Sequence, residues 1–204
     1  FIIFSIYHYW VLPLPKSDKK SININVSTLL TNFLNIFISF FKKPKIAIVI
    51  TFILLYRFGE AQLVKIAPLF FLDSIENGGL AMTTTQYGFA YGTLGTIMLT
   101  LGGILGGFFV SKHGLKFWII WMALAMKLPD LVYVFMAGSQ IENYLLIILF
   151  IAIEQFGYGF GFTAYLLYMM MVADGENKTA HYALCTGFMA LGMMIPGMFS
   201  GLLQ

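Results

Sequence analysis

The chain has 204 residues, of which 59% are hydrophobic and 10% are charged, and its formal net charge at pH 7 is +3. Its mean hydropathy is +0.84, and a soluble domain of this length does not need so much apolar surface. The sequence contains one cysteine, Cys185, which excludes a disulfide framework and a cysteine-rich metal site. The composition therefore predicts an all-α, polytopic membrane helix bundle.

The N-terminal part of the chain, before the first long apolar segment, alternates between apolar and polar stretches. Residues 1–12 are apolar but too short to cross a membrane, and we interpret them as the end of a truncated transmembrane helix in a fragment. Residues 13–44 are predicted to form a central cytoplasmic loop. Within this loop, residues 28–41 have a polar stripe and an apolar face, which favours an amphipathic helix lying on the membrane surface.

Five apolar segments long enough to span a membrane follow, so that residues 45–204 are predicted to form a C-terminal transmembrane bundle. Thr83 and Gln86 have the spacing of a capping box, which indicates where the second segment begins. The expected spans, numbered 1 to 5 in chain order, cover about residues 46–72, 86–110, 117–137, 144–172 and 181–203.

The distribution of basic residues predicts the orientation of these spans. The segments before span 1, between spans 2 and 3, and between spans 4 and 5 contain nine of the twelve Lys and Arg residues. The opposite loops, residues 73–79 and 138–143, contain none. Because basic loops stay in the cytoplasm, the first set of loops is expected to be cytoplasmic.

Spans 2 and 5 resemble each other in sequence at an offset of 95 residues. Gly92 and Gly102 match Gly187 and Gly197 at this offset. Such matches are typical of inverted three-helix repeats, in which the matching helices cross the membrane in opposite directions. The repeat predicts one further helix after Gln204.

Charged side chains occur inside three of the spans, although a charge at the bilayer centre costs roughly 2.5 kcal/mol or more. Such residues usually face a bundle interior or a watery cavity and indicate a path for a solute, an ion or a proton. The predicted substrate and proton pathway consists of Arg57, Glu60, Lys65, Lys127, Asp130, Glu154 and Gln155.

The charged residues of span 1 have two interpretations. Arg57 and Glu60 lie three residues apart on one helix face, so their side chains can pair. The pair either stabilises the helix only, or Arg57 holds a polar or anionic substrate while Glu60 exchanges a proton. Lys65 lies about two turns from Arg57 and either guides an acidic substrate or extends toward the membrane surface.

The charged residues of spans 3 and 4 also leave alternatives open. Lys127 and Asp130 flank Pro129, which predicts a salt bridge beside a kink and favours a structural role. Glu154 can bind a proton or contact a sugar hydroxyl, or it can pair with Lys127 or Arg57 across the bundle. The glycines that follow Glu154 are typical of close helix packing.

Three tyrosines and two histidines are further candidates. Tyr158, Tyr165 and Tyr168 lie on the same helix as Glu154, where their rings either stack on sugar or lie near the membrane interface. His113 is expected to be solvated. His181 is expected to form a local hydrogen bond near the cytoplasmic surface rather than to carry a proton.

Residues 107–116 (GFFVSKHGLK), between spans 2 and 3, resemble the G-xxx-D-[RK]-x-G-[RK]-[RK] signature of the major facilitator superfamily. The resemblance implies a gating loop in which Gly107 permits close helix approach and Gly114 permits the turn. Lys112 and Lys116 would anchor this loop on the cytoplasmic side. Ser111 stands where the family has Asp, which weakens any charge relay through this loop.

Three further motifs resemble the AmpG-type muropeptide permeases, a branch of the same superfamily. They are residues 55–61 (LYRFGEA), similar to Y-K-x-G-[DE]-A, residues 154–164 (EQFGYGFGFTA) and residues 179–184 (TAHYAL). The resemblance covers most of residues 46–204 and implies the C-terminal half of a major facilitator fold, with five full spans. Arg57 replaces the more usual Lys, Glu60 replaces Asp, and His181 replaces Gln.

By this resemblance the protein is expected to be a proton-driven importer of anhydro-muropeptides in the bacterial inner membrane, serving peptidoglycan recycling. These substrates are N-acetylglucosaminyl-anhydro-N-acetylmuramic acid with or without peptide. Related branches imply an alternative, a major facilitator transporter of an acetyl-CoA-like anion, another sugar or a lysolipid.

Other functional classes have less support in the sequence. It has none of the H-E-x-x-H, G-x-S-x-G or nucleotide-loop motifs of common enzymes, so we expect no enzymatic activity. A structural or sensory membrane protein would not require charges within three spans. We expect a monomer whose partners are a small-molecule substrate, protons and membrane lipid, with no nucleic acid, no cofactor and no metal.

Overall fold

The computed structural model describes residues 2–12 and 26–200, in which helices are the only regular secondary structure. It divides into two compact units, Phe1–Ser39 and Phe40–Gln204. Within these described residues, five helices are long and apolar enough to cross a membrane, which confirms the predicted all-α, polytopic bundle. The predicted cytoplasmic loop falls partly on residues 13–25, which lie outside the described residues.

The first unit contains helix α1 (Ile2–Val11) and the beginning of helix α2 (Val26–Phe41). All described side chains of α1 are exposed. On α2, Leu30, Phe33 and Leu34 are also exposed, whereas Phe40, in the second unit, is fully buried. An exposed apolar face on a helix is what a membrane-surface location requires, and that location stays a prediction.

The second unit contains the five long helices, which keep the names spans 1 to 5. Thr83 and Gln86 form the predicted capping box, in which each side chain bonds the backbone of the other residue. The predicted end of span 5 after residue 200 lies outside the described residues. The spans cover Ile46–Leu72, Thr84–His113, Leu115–Ser139, Tyr144–Ala173 and Lys178–Phe199.

Three of these spans are not continuous α-helices. Span 1 consists of Ile46–Tyr56 and Phe58–Leu72, with Arg57 at the break, where its φ is −107° and its ψ is 11°. Span 3 breaks between Leu115–Lys127 and Leu131–Ser139, at the predicted proline kink. Span 2 contains a π-helical segment, Gly88–Gly95, and π segments in helices are frequent at functional sites.

Span 4 lies at the centre of the bundle and packs against each of the other four spans. Glycines permit this close approach. A Cβ atom added to Gly102 or Gly159 would overlap the backbone of the facing helix in the pair of spans 2 and 4. Gly157 and Gly161 have the same relation to the backbone of span 3. The expectation that the span 4 glycines serve helix packing therefore agrees with the structure.

Gly107, which the motif implied permits close helix approach, faces none of the described helices. A Cβ added there would meet nothing within 4 Å in the described structure, whereas one at Gly106 would press on the Phe160 carbonyl oxygen at 2.9 Å. The physical reason is helical geometry, because neighbouring residues point about 100° apart around the axis. Gly106 faces span 4, and Gly107 therefore does not.

The offset of 95 residues also appears in the packing. Gly102 of span 2 faces the Phe156 carbonyl of span 4, and Gly197 of span 5 lies closest to the Ala61 carbonyl of span 1. The two glycines and their two partners are separated by the same offset. The two glycine contacts therefore follow the same offset as the sequence match between spans 2 and 5, as an inverted repeat requires.

Candidate functional site

A cavity of about 320 Å³ lies within the bundle and has lining residues from all five spans. Four residues of the predicted pathway line it, namely Arg57, Glu60, Glu154 and Gln155. Arg57, Glu60 and Glu154 are each less than one-tenth exposed. A concave site with a few convergent polar groups on an otherwise apolar lining is typical of a small-molecule site.

Arg57 lies at the break of span 1 and is held by both its own span and span 4. Its Nη2 donates a hydrogen bond to Glu60 Oε1 at 3.2 Å, so the predicted pair is present. The same nitrogen donates to the hydroxyl of Tyr158. The guanidinium carbon also lies 4.9 Å from the centre of the Phe162 ring, a cation–π distance. The guanidinium is therefore fixed at the cavity wall.

Glu60 is shared between Arg57 and a cation from span 3. Its second oxygen, Oε2, lies 3.8 Å from Lys127 Nζ, a contact between residues 67 positions apart that sequence spacing did not indicate. Lys127 Nζ also lies 3.6 Å from Asp130 Oδ2, which is the predicted salt bridge beside Pro129. The charges of spans 1 and 3 therefore form one network.

Glu154 lies at the cavity without a charged partner in residues 2–12 and 26–200. Its Oε2 accepts a hydrogen bond from Gln155 Nε2 at 2.8 Å. The alternative that Glu154 pairs with Lys127 or Arg57 is absent from the described ion pairs. The burial of this carboxylate is therefore offset by polar neighbours and not by a cation among the described ion pairs.

Tyrosines from three spans line the cavity beside these charges, and sequence reasoning identified only Tyr158. Tyr87 and Tyr91 come from span 2, and Tyr133 comes from span 3. The hydroxyls of Tyr91 and Tyr133 are hydrogen-bonded to each other. The sequence could have indicated that Tyr87 and Tyr91 share a face, because they lie four residues apart on one helix. Nothing in the sequence indicated that Tyr91 would contact Tyr133 of span 3.

The other tyrosines of span 4 have structural contacts instead. The Tyr165 hydroxyl donates to the Ile53 carbonyl oxygen at 2.7 Å, and its ring stacks on Tyr56 with 4.8 Å between centroids. Tyr168 packs its ring against Phe52 at 4.6 Å. Of the three span 4 tyrosines, the structure places Tyr158 alone in the cavity lining among the described residues.

Lys65 is the one residue of the predicted pathway on span 1 that lies apart from the main cavity. It lines a second cavity of about 390 Å³, which spans 1 and 5 form together. Val64 and Met193 line both cavities, so the two are adjacent. The Lys65 side chain is exposed. Its position leaves both predicted roles, guiding an acidic substrate and extending toward the surface, open.

The loop between spans 2 and 3 has the predicted glycine turn. Gly114 has a φ of +82°, which L-residues with a Cβ rarely adopt. Lys112 and Lys116 are exposed on either side of it. His113 is exposed, and its Nδ1 accepts a hydrogen bond from Trp118 Nε1 at 3.2 Å. The arrangement suits a surface turn with two available cations.

A second cluster joins the other predicted basic segments. Phe40 is buried against His181 and Phe188, with ring centroids 5.6 and 6.1 Å apart. Lys43 Nζ donates to the Asp174 carbonyl oxygen at 2.6 Å. The hydrogen bond from Lys178 lowers the pKa of the Asp174 carboxyl below its usual range. His181, in the first turn of span 5, is 5% exposed, so its side chain is buried within the protein.

Comparison with known proteins finds similarity to proteins that are named as transporters. Over 173 residues the chain is 26% identical to "Putative transporter AmpG 2" of Rickettsia prowazekii, covering 83% of this chain and 40% of the relative. Over 191 residues it is 25% identical to "Putative transporter AmpG 2" of Rickettsia typhi, covering 93% of this chain and 43% of the relative. "Putative transporter AmpG 3" of Rickettsia prowazekii is 25% identical over 157 residues.

The chain spans about two-fifths of the length of these relatives. No family model matches it. The resemblance to AmpG-type permeases that the sequence motifs indicated is confirmed as a similarity that extends over most of this chain.

Proposed function

We propose that this chain is the C-terminal half of a proton-driven secondary transporter of the major facilitator type in the bacterial inner membrane. The proposed substrate is an anhydro-muropeptide, imported for peptidoglycan recycling. The chain supplies residues 45–204 as half of the transport bundle, and residues 13–44 are the cytoplasmic connection to the other half. The protein acts as a monomer surrounded by lipid.

The observation that carries this proposal is the cavity that Arg57, Glu60, Glu154 and Gln155 line between apolar, membrane-length helices. Burying three charged side chains in such a bundle is costly and is rarely retained without a function. A bundle that only needed to pack would fill the same volume with apolar side chains. The similarity to proteins named as AmpG transporters supports the same conclusion.

In the proposed mechanism, the cavity binds polar groups of the substrate and takes up a proton. The Arg57 guanidinium, fixed beside Tyr158 and Phe162, holds a polar or anionic group of the substrate. Glu60 exchanges the proton, and Glu154 with Gln155 contacts sugar hydroxyls. Lys127, Asp130 and Lys65 complete the pathway.

Alternating access follows from rocking this half against the other around the central cavity. The loop containing Gly107, Lys112, Gly114 and Lys116 gates the cytoplasmic side in this scheme. Its glycine turn allows a short connection between spans 2 and 3, so that the two helices move together.

The test is uptake of labelled anhydro-muropeptide by cells that lack their own permease and express the full-length protein. We expect uptake that an uncoupler abolishes and that Glu60→Gln reduces at least about tenfold, as loss of a proton-exchanging group would. Glu142→Gln is the matched control, because Glu142 is an exposed carboxylate in the loop between spans 3 and 4.

Absence of uptake by a correctly inserted protein would reject the muropeptide as substrate. Uptake of an acetyl-CoA-like anion, another sugar or a lysolipid by the same cells would then identify the alternative transporter. Uptake that persists unchanged with the uncoupler would reject proton coupling.

A further inference from the structure

The ammonium group of Lys127 lies between two carboxylates and is hydrogen-bonded to neither. Its Nζ is 3.8 Å from Glu60 Oε2 and 3.6 Å from Asp130 Oδ2, both beyond the range of a good hydrogen bond. Lys127 Nζ and Glu60 Oε2 are buried and have no hydrogen-bond partner in the described part of the chain. The Lys127 ammonium thus lies at similar distances from both carboxylates and forms a hydrogen bond with neither.

This arrangement is physically unsatisfied. The Nζ atom is buried although the Lys127 side chain is 34% exposed, and an ammonium without a hydrogen bond loses hydration that a close carboxylate offsets. If one carboxylate becomes neutral, the attraction toward the other is no longer opposed. A small movement of the side chain would then give Lys127 a direct hydrogen-bonded pair.

The two carboxylates differ in how they are held. Glu60 is fixed through its other oxygen by Arg57, which Tyr158 holds in turn. Asp130 follows Pro129 in the break of span 3, where its amide bonds to the Lys127 carbonyl oxygen three residues back, and its described ion pair is with Lys127. Both spans break beside this network, span 1 at Arg57 and span 3 at Pro129, and such breaks absorb changes in backbone angle, so a small movement of either span can change the contact.

We propose that Lys127 is a positioning residue that alternates between Glu60 and Asp130 and so couples the proton on Glu60 to the contact between spans 1 and 3. With Glu60 ionised, Lys127 pairs with it and ties the spans together. When Glu60 takes up a proton from water, Lys127 stays charged and pairs with Asp130 instead. The ion pair between spans 1 and 3 is then lost. The role in transport rests on the proposed function, whereas the exchange of partners does not.

Other ionisable groups surround this network and belong to its charge balance. Arg57 and Tyr56 come from span 1, and the remaining groups come from spans 2, 3 and 4. These remaining groups are Tyr91, Tyr133, Glu154 and Tyr158. Arg57 keeps its place beside Glu60 in both states, so Lys127 is the cation that changes partner.

The first experiment measures thermal unfolding of the purified full-length protein in detergent, which needs no substrate. Glu60→Gln and Asp130→Asn are made singly and together. Each single variant leaves Lys127 one carboxylate, whereas the double variant leaves it none. The loss in Tm of the double variant should therefore exceed the sum of the two single losses by about 4 °C or more. Adding Lys127→Met to the double variant should recover most of that loss.

The control for the rescue is Lys42→Met, which removes an exposed lysine and should recover nothing. Losses that simply add, or a triple variant no more stable than the double variant, would overturn the shared role of Lys127. This result stands whatever the substrate is, so it separates failure of this proposal from failure of the proposed function.

The second experiment measures the pH profile of uptake for a transported substrate. In Asp130→Asn, Lys127 has only Glu60 as a partner and opposes its protonation, so the acid limb should move to lower pH. In Lys127→Met, Glu60 loses a neighbouring cation, so the same limb should move to higher pH. A merely structural Lys127 would lower uptake without moving the limb, and that outcome would reject the coupling.

Discussion

At the scale of single residues, the site depends on what surrounds Arg57. Its guanidinium has three partners from two spans, the Glu60 carboxylate, the Tyr158 hydroxyl and the Phe162 ring. A hydrogen bond that involves a charged group contributes about 1.5–3 kcal/mol. Tyr158 therefore positions the cation that is proposed to hold the substrate, although it carries no charge itself.

Replacing Tyr158 with Phe should weaken the site without changing its shape. The substitution removes the hydroxyl that accepts from Arg57, and we expect a loss of about 2 kcal/mol in the free energy of unfolding. Tyr168→Phe, on the same helix but packed against Phe52, is the control and should change stability little. Equal losses in the two variants, measured by unfolding in detergent, would contradict the role of Tyr158.

The two buried glutamates should differ in what their neutralisation costs. Glu60→Gln leaves Arg57 without its counter-charge and Lys127 with Asp130 alone, and removing one partner of a buried pair costs about 3–5 kcal/mol. Glu154→Gln removes a charge that lacks a cationic partner in the described residues, so stability should be unchanged or higher. Unfolding of both variants at one pH checks the order, and a reversed order would refute this charge assignment.

At the scale of helices, the packing of span 4 depends on where glycines meet a facing backbone. Gly102, Gly157 and Gly159 each lie so close to a neighbouring helix that a Cβ would overlap its backbone. Neighbouring glycines such as Gly107 and Gly92 face open space in the described structure. Glycine content alone therefore does not identify an interface, because the direction in which each glycine points decides its role.

Gly102→Ala should be destabilising, because the new methyl group would overlap the Phe156 carbonyl and force spans 2 and 4 apart. Overpacking of this kind costs about 1–3 kcal/mol. Gly107→Ala is the matched control on the same helix and should be neutral or stabilising by up to about 1 kcal/mol, since Ala favours helices. The pair is compared by thermal unfolding, and a loss at position 107 as large as that at position 102 would be inconsistent with this packing.

At the scale of the whole molecule, the basic residues outside the membrane helices lie on one side of the expected topology. Lys112 and Lys116 follow span 2, and Lys43 and Lys178 converge on Asp174. The opposite loops contain Asp73, Glu76 and Glu142 and no basic residue. This asymmetry predicts a single orientation in the membrane.

The orientation can be measured by labelling introduced cysteines in intact cells. A membrane-impermeant maleimide should label Glu142→Cys directly and label Lys116→Cys only after permeabilisation. Background labelling from these 204 residues should be low, because their one cysteine, Cys185, is buried. Direct labelling at position 116 with none at position 142 would show the inverse topology.

Much of the architecture could be predicted because it depends on local composition. Long apolar runs specify the five helices, Thr83 and Gln86 specify the start of span 2, and Pro129 marks the break in span 3. The pairs Arg57–Glu60 and Lys127–Asp130 followed from a spacing of three residues on one helix. In each case the interacting groups are neighbours in the chain, so their geometry is known once the helix is known.

What the sequence by itself determined is therefore an all-α membrane bundle with charged residues inside three spans and basic residues concentrated in alternate loops. The tertiary structure alone decided that Lys127 reaches Glu60, that Tyr91 bonds Tyr133, that Lys65 lies beside a separate cavity and that Gly107 faces open space. The physical reason is that these contacts depend on how each helix is rotated about its axis and which helix it packs against. Both are set by side chains and glycines distant in the chain, and no local spacing encodes them.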